Sequence, residues 1–166
     1  MIVVADSSPL IALINIGHIS VLPLLFGQVI IPPEVSAELN VPTRPQAVRN
    51  FIGARPNWLL ERVPTRLEPI PTLHPGEVAA IRLAQELKAD LLLIDEVRGR
   101  KAAVDLNIAF TGTVGVLELA ADRGLLELQD AFARLKSTDF WISPQLLDER
   151  LKLYERRRGG VVSSSM

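Results

Sequence analysis

Four acidic residues carry the chemistry this chain can offer: Asp6, Glu38, Glu77 and Asp95. Asp6 and Asp95 each follow a short apolar run, Ile2 to Ala5 and Leu91 to Ile94. Glu38 sits on a helical stretch that begins at Pro32-Pro33, and Glu77 in the first turn of another that begins at Pro75. Carboxylates gathered within a few ångströms repel one another and are tolerated only if protons or a cation compensate them. A hard divalent ion such as Mg²⁺ or Mn²⁺ takes oxygen ligands, holds to one or two carboxylates and reaches the others through water. Such a centre suits phosphodiester hydrolysis. Arg98, Arg100 and Lys101 follow Asp95 closely enough to clamp the phosphate.

Each acid also has an ordinary reading. Asp6 could only cap a helix, although Ser7 and Ser8 already offer that service, and it is the one full side-chain charge between Met1 and Pro33. Glu77 is a favourable first-turn acid by helix-dipole logic. Glu38, four residues after Glu34, fits a solvated helix face, Asp95-Glu96 fits a turn, and Arg98 to Lys101 fits an exposed charge run. The joint spacing is what singles them out, because parallel sheets bind ligands beyond the carboxyl ends of their strands.

Elements must exist to bring these residues together. The spacing predicts a strand over Ile2 to Ala5, a helix from Ser7 to Gly17 entered through Ser7-Ser8-Pro9, and a short helix over Ile19 to Phe26. A strand at Val29 to Ile31 and a helix from Pro33 to Leu39 follow. The proline-rich stretch 41–75 predicts a surface region with a helix near Gln46 to Ile52 and a strand at Leu59 to Val63. Beyond it come a helix from Pro75 to about Ala89, the strand Leu91 to Ile94, a turn at Asp95-Glu96 and a helix over Lys101 to Leu106. The strand Ile108 to Phe110 leads, through Thr111-Gly112-Thr113, into a helix to about Arg123. Helices at about Asp130 to Lys136 and Pro144 to Arg158 close the chain. Alternating helices and very short, wholly apolar strands predict a three-layer α/β/α sandwich around a mostly parallel sheet. Composition predicts one domain over residues 1–158 and a disordered tail over 159–166.

The 166 residues, 48% hydrophobic and 22% charged, suit one domain with a sizeable core. A net charge of −1 excludes a protein that grips nucleic acid by bulk charge, so a basic surface must be local. Zero cysteines exclude disulfide frameworks, thiolate metal sites and cysteine nucleophiles, and make the cytoplasm the expected compartment. The apolar first third is broken by Pro9, Asn15, Gly17, His18, Ser20 and Pro23, and the first charge is negative, which argues against a membrane span or a secretory signal. His18 and His74 lack a partner at ligand spacing and receive no role. Neither a nucleophile elbow nor a glycine-rich phosphate loop occurs. Trp58 and Trp141 read as core or interface residues.

The segments VVADSSPLIAL, IIPPEVSAEL, HPGEVAAIRLAQELKADLLLIDEVRGRKAA and FTGTVGVLELA together resemble the PIN-domain nucleases, in particular a prokaryotic branch related to the toxins of type II toxin–antitoxin pairs. The resemblance runs from about Ile2 to Ala121. It implies a metal-dependent endoribonuclease that uses Mg²⁺ or Mn²⁺, with Asp6, Glu38, Glu77 and Asp95 as catalytic metal ligands. Ser7 and Thr113 would assist through their hydroxyls. It further implies RNA as substrate, a homodimer and a small antitoxin that blocks the site. Either Asp95 or Glu96 could be the acid that faces the metal. The competing readings are a catalytically silent module that binds RNA or protein, and a metal phosphatase acting on small esters.

Overall fold

The computed structural model describes the backbone of residues 1–164 and the side chains of residues 1–159. The chain forms two compact units, Met1–Val116 and Leu117–Met166.

The first unit holds five strands: β1 (Val3–Ala5), β2 (Val29–Ile31), β3 (Leu59–Glu61), β4 (Leu91–Leu93) and β5 (Phe110–Thr111). All pair in parallel, in the order β3-β2-β1-β4-β5. Val3, Val4 and Ala5 are each 0% exposed. Since neighbouring strand residues point to opposite faces, both faces of β1 must be covered, as in a three-layer α/β/α sandwich. The covering helices are α1 (Ser7–Asn15), α2 (Val21–Phe26), α3 (Pro33–Leu39), α4 (Gln46–Ala54), α5 (Pro75–Leu87) and α6 (Val97–Asp105). Leu10, Leu13, Leu39, Ile81 and Leu83 bury their side chains in the core. Proline opens α3 and α5, where its missing N–H costs nothing.

The chain leaves β1 towards β2 and β3, then returns to the other side of β1 with β4 and β5. The order reverses between β1 and β4, the kind of switch point beside which open parallel sheets bind ligands, at the carboxyl ends of the strands. Val3, Val4 and Ala5 stand opposite Leu91, Leu92 and Leu93, so the residues that follow these two strands emerge level with each other.

Of the boundaries that differ from the expected ones, two have a clear local cause. Helix α6 starts at Val97 rather than Lys101, because Arg100 N–H already bonds back to Glu96 O at 2.9 Å. Gly99 and its charged neighbours hide this start in the sequence. Strand β5 starts at Phe110 rather than Ile108, because α6 closes with Asn107 in the left-handed region (φ 57°) and Ile108 N–H bonded to Ala103 O.

Helix α7 (Thr113–Asp122) spans the boundary of the two units. The second unit contains its later part with α8 (Leu128–Lys136) and α9 (Pro144–Ser164). Leu117, Ala120, Phe132, Leu135 and Leu147 are buried. Arg150 pairs with the buried Glu118 at 2.5 Å, Lys136 with Asp148 at 2.7 Å, and Tyr154 donates to Ala121 O. The tail expected over 159–166 falls within the bounds of α9 as far as Ser164, and residues 165–166 lie outside the described residues. Among the described residues, no helix is long and apolar enough to cross a membrane.

Candidate active site

Every sequence-predicted site residue lies in the first unit. β1 delivers Asp6 and ties it to the neighbouring strand, since Asp6 N–H donates to Leu93 O at 2.9 Å. The side chain is 3% exposed, and its Oδ1 is buried without a hydrogen-bond partner. A buried carboxylate oxygen with nothing to accept from is costly unless a proton or cation meets it. Burial pushes the Asp6 carboxyl up to about 7; the Ser7 backbone N–H opposes this, and the charges of Glu38, Glu77 and Asp95 add to it. The other three predicted acids therefore all bear on Asp6 electrostatically, at the carboxyl ends of β1 and β4.

Glu38 projects from the second turn of α3, and Ser7 Oγ donates to its Oε2 at 2.5 Å. The carboxylate rests against Gly76 at the start of α5, where a Cβ would overlap it. Glu77, the next residue, is buried. Its Oε1 accepts the His74 backbone N–H at 3.3 Å, and its Oε2 has no partner. Burial raises its pKa; the His74 N–H and imidazole oppose the shift, and Glu96 and Glu38 add to it.

Asp95 lies two residues beyond β4 and is fully engaged. Its Oδ1 accepts the Thr113 N–H at 2.7 Å, and its Oδ2 accepts Thr113 Oγ1 at 2.7 Å and Ser8 Oγ at 3.4 Å. Burial raises its pKa against the two Thr113 bonds, Arg100 and Ser8. Glu96 is exposed at the N-cap of α6, and its charge bears on Glu77, whereas that of Asp95 bears on Asp6.

The three cations separate. Arg98 and Lys101 are exposed, one helical step of three apart on the same face of α6. Arg100 is half-buried, with its guanidinium 3.7 Å from Asp95 Oδ1 and its Nε bonded to Ile94 O at 3.1 Å. It therefore stands beside an acid of the cluster, whereas Arg98 and Lys101 do not share that contact.

Sequence reasoning missed the glycines. A Cβ at Gly76 would meet Glu38, one at Gly99 would meet Ile94 and approach Glu77 Oε2 at 3.4 Å, and one at Gly112 would meet Arg100 and Asp95. The available signal was position: each glycine opens or enters a helix beside a predicted acid. Ser8, which helps hold Asp95, was read only as a helix cap.

The donor set is all oxygen, as hard divalent cations require, and the orphaned Asp6 Oδ1 and Glu77 Oε2 are two atoms that would accept one. Among the described residues no three Asp, Glu or His side chains already close into a ligand set. Mg²⁺ needs only one or two direct carboxylates and keeps its remaining positions for water, a donor chemistry that the open oxygens of Asp6 and Glu77 fit.

No curated protein matches the chain. In structure it is similar to a PilT N-terminus domain protein from the hyperthermophilic archaeon Sulfolobus solfataricus P2, with a TM-score of 0.53 and 16% identity over 70% of this chain and 90% of that one. That likeness concerns the fold, and it agrees with the parallel five-stranded sheet. A family model described as DUF3368, PIN domain, matches residues 2–156, nearly the whole chain. The chain belongs to this family of PIN domains.

Proposed function

We propose that this PIN domain is a metal-dependent endoribonuclease that hydrolyses RNA phosphodiester bonds with Mg²⁺ or Mn²⁺. The observation that carries the reading is Asp6: a carboxylate 3% exposed, its Oδ1 unpartnered, surrounded by Glu38, Glu77 and Asp95. Structural ion pairs satisfy their oxygens, whereas this arrangement leaves two buried oxygens open at the switch point of a parallel sheet.

Asp6 and Glu77 would hold the ion through those open oxygens. Bound there, it would supply Lewis acidity at the phosphate and acidify water near neutral pH. Ser7 orients Glu38 from the Oε2 side, leaving the rest of that carboxylate to accept from water or a ribose hydroxyl. Thr113 and Ser8 fix the plane of Asp95. Arg98 and Lys101, exposed on the helix that starts beside Asp95, would take the flanking phosphates and supply the local basic surface that a net charge of −1 requires. The reaction is a displacement at phosphorus: water adds as the bridging P–O bond breaks.

The family resemblance supports a wider setting, in which the chain is the toxin of a toxin–antitoxin pair, forms a homodimer, works in the cytoplasm and is blocked by a small antitoxin. Residues 1–158 would then act as a single functional domain.

The test is chelator-treated protein incubated with single-stranded RNA, structured RNA and a small phosphate ester, with and without Mn²⁺ or Mg²⁺. RNA cleavage that needs metal and disappears in Asp6→Asn supports the reading. Unchanged RNA that the protein nevertheless binds would make it a silent binding module, and ester turnover without RNA cleavage a phosphatase.

A further inference from the structure

Arg100 is held at four points. Its Nε donates to Ile94 O at 3.1 Å, a terminal nitrogen stands 3.7 Å from Asp95 Oδ1, and its guanidinium lies over the Phe110 ring at 5.7 Å. The backbone of Gly112 runs so close that a Cβ there would overlap the same nitrogen and Asp95 Oδ1. An arginine that clamps phosphate presents its two-pronged fork to the ligand; here Nε is spent on a carbonyl, one terminal nitrogen faces a carboxylate and the group lies over a ring, with 38% of the side chain exposed. The Asp95 carboxylate is likewise committed, to Thr113, Ser8 and Arg100. Among the four clustered acids, the buried unpartnered oxygens lie on Asp6 and Glu77.

We propose that Arg100 is a positioning residue: a half-buried cation that pins Asp95 against Thr113 and limits the site to one divalent ion, held on the Asp6 and Glu77 side. A fixed positive charge compensates Asp95 without a metal and repels a second divalent ion brought to the same carboxylate. Gly112 is part of the device, because only a residue without a side chain admits the guanidinium beside Asp95. The inference rests on the nuclease reading for the nature of the ion. The assignment of Arg100 away from the phosphates rests on the four contacts alone.

The experiment is calorimetric titration of the full chain with MnCl₂, beside binding of a labelled single-stranded RNA in chelator at several salt concentrations. The variants are Arg100→Gln, Arg100→Lys and Arg100→Met. The parent is expected to bind one Mn²⁺ per chain. Arg100→Gln should bind two, Arg100→Lys should keep one because the charge is restored, and Arg100→Met, which removes the charge but keeps an unbranched side chain, should admit the second ion. Should Arg100→Gln fail to fold, Arg100→Met decides the same point. The dependence of RNA affinity on salt should stay at the parent's slope in Arg100→Gln. Two Mn²⁺ on the parent, or one on the parent and on both Arg100→Gln and Arg100→Met, overturns the inference alone. So does a loss of about one ion equivalent from the RNA salt slope of Arg100→Gln with Mn²⁺ binding unchanged, which would make Arg100 a phosphate contact. A parent that binds no Mn²⁺ takes down the nuclease reading and this inference with it.

Discussion

The Glu38 carboxylate lies directly on the backbone of Gly76, so the first turn of α5 and the second turn of α3 meet with no room for a methyl group. An alanine at that position would favour the helix by about 1 kcal/mol while displacing a flexible carboxylate. Gly76→Ala is therefore expected to fold with a melting temperature close to the parent's, yet to show a weaker thermal shift with Mn²⁺. An unchanged shift, measured by differential scanning fluorimetry, would remove Glu38 from the metal site.

Saturating Mg²⁺ or Mn²⁺ should raise the melting temperature, because an ion that binds only the folded chain stabilises it by about 2.7 kcal/mol at a hundredfold excess over Kd. Asp6→Asn should abolish that rise by removing the acid whose Oδ1 has no partner within the protein. A full metal-induced rise in Asp6→Asn would contradict the assignment.

In chelator, stability should fall as pH rises. The folded chain holds the Asp6 carboxyl up to about 7 against an ordinary value of 3.8, chiefly by burial, so it prefers the protonated form more strongly than the unfolded chain does. That contribution is complete below about pH 4 and is lost as pH climbs through about 7. Glu77 and Asp95 are shifted in the same direction and add to the trend. Melts from pH 5 to 8 should show the decline, and Asp6→Asn should flatten it. A parent equally stable at both ends would show that these carboxyls are not held up.

Glu77→Gln and Asp95→Asn should both lose RNA cleavage by orders of magnitude, but they should part in stability. Glu77 Oε2 has no partner to lose, so Glu77→Gln should melt no lower than the parent in chelator. Asp95 accepts two bonds from Thr113, and Asp95→Asn should cost about 1–2 kcal/mol. Cleavage within about threefold of the parent would refute a catalytic role, since removing a group that acts in proton transfer costs far more.

For RNA binding, Arg98→Ala with Lys101→Ala should reduce the salt dependence by about two ion equivalents and leave Mn²⁺ binding intact. Truncation after Arg150 should change it less. If the truncation removes the dependence and the double variant does not, the nucleic-acid surface belongs to α9.

The existence of the strands and of most helices, and four acids as candidate site residues, are legible in the order of residues. Runs such as Val3–Ala5 and Leu91–Leu93 can be satisfied only in a sheet covered on both faces, and the residue leaving such a strand is fixed by chain connectivity. Those are local facts. The tertiary structure alone decided which oxygens are spoken for, because Asp95 meets Ser8 and Thr113 across 87 and 18 residues, and Glu38 meets Ser7 across 31. It also separated three cations that look equivalent in the order Arg98, Arg100, Lys101. Once α6 starts at Val97, each residue turns about 100° around the axis, so positions 98 and 101 share a face and position 100 points away from it, into the slot that Phe110 and Gly112 leave beside Asp95.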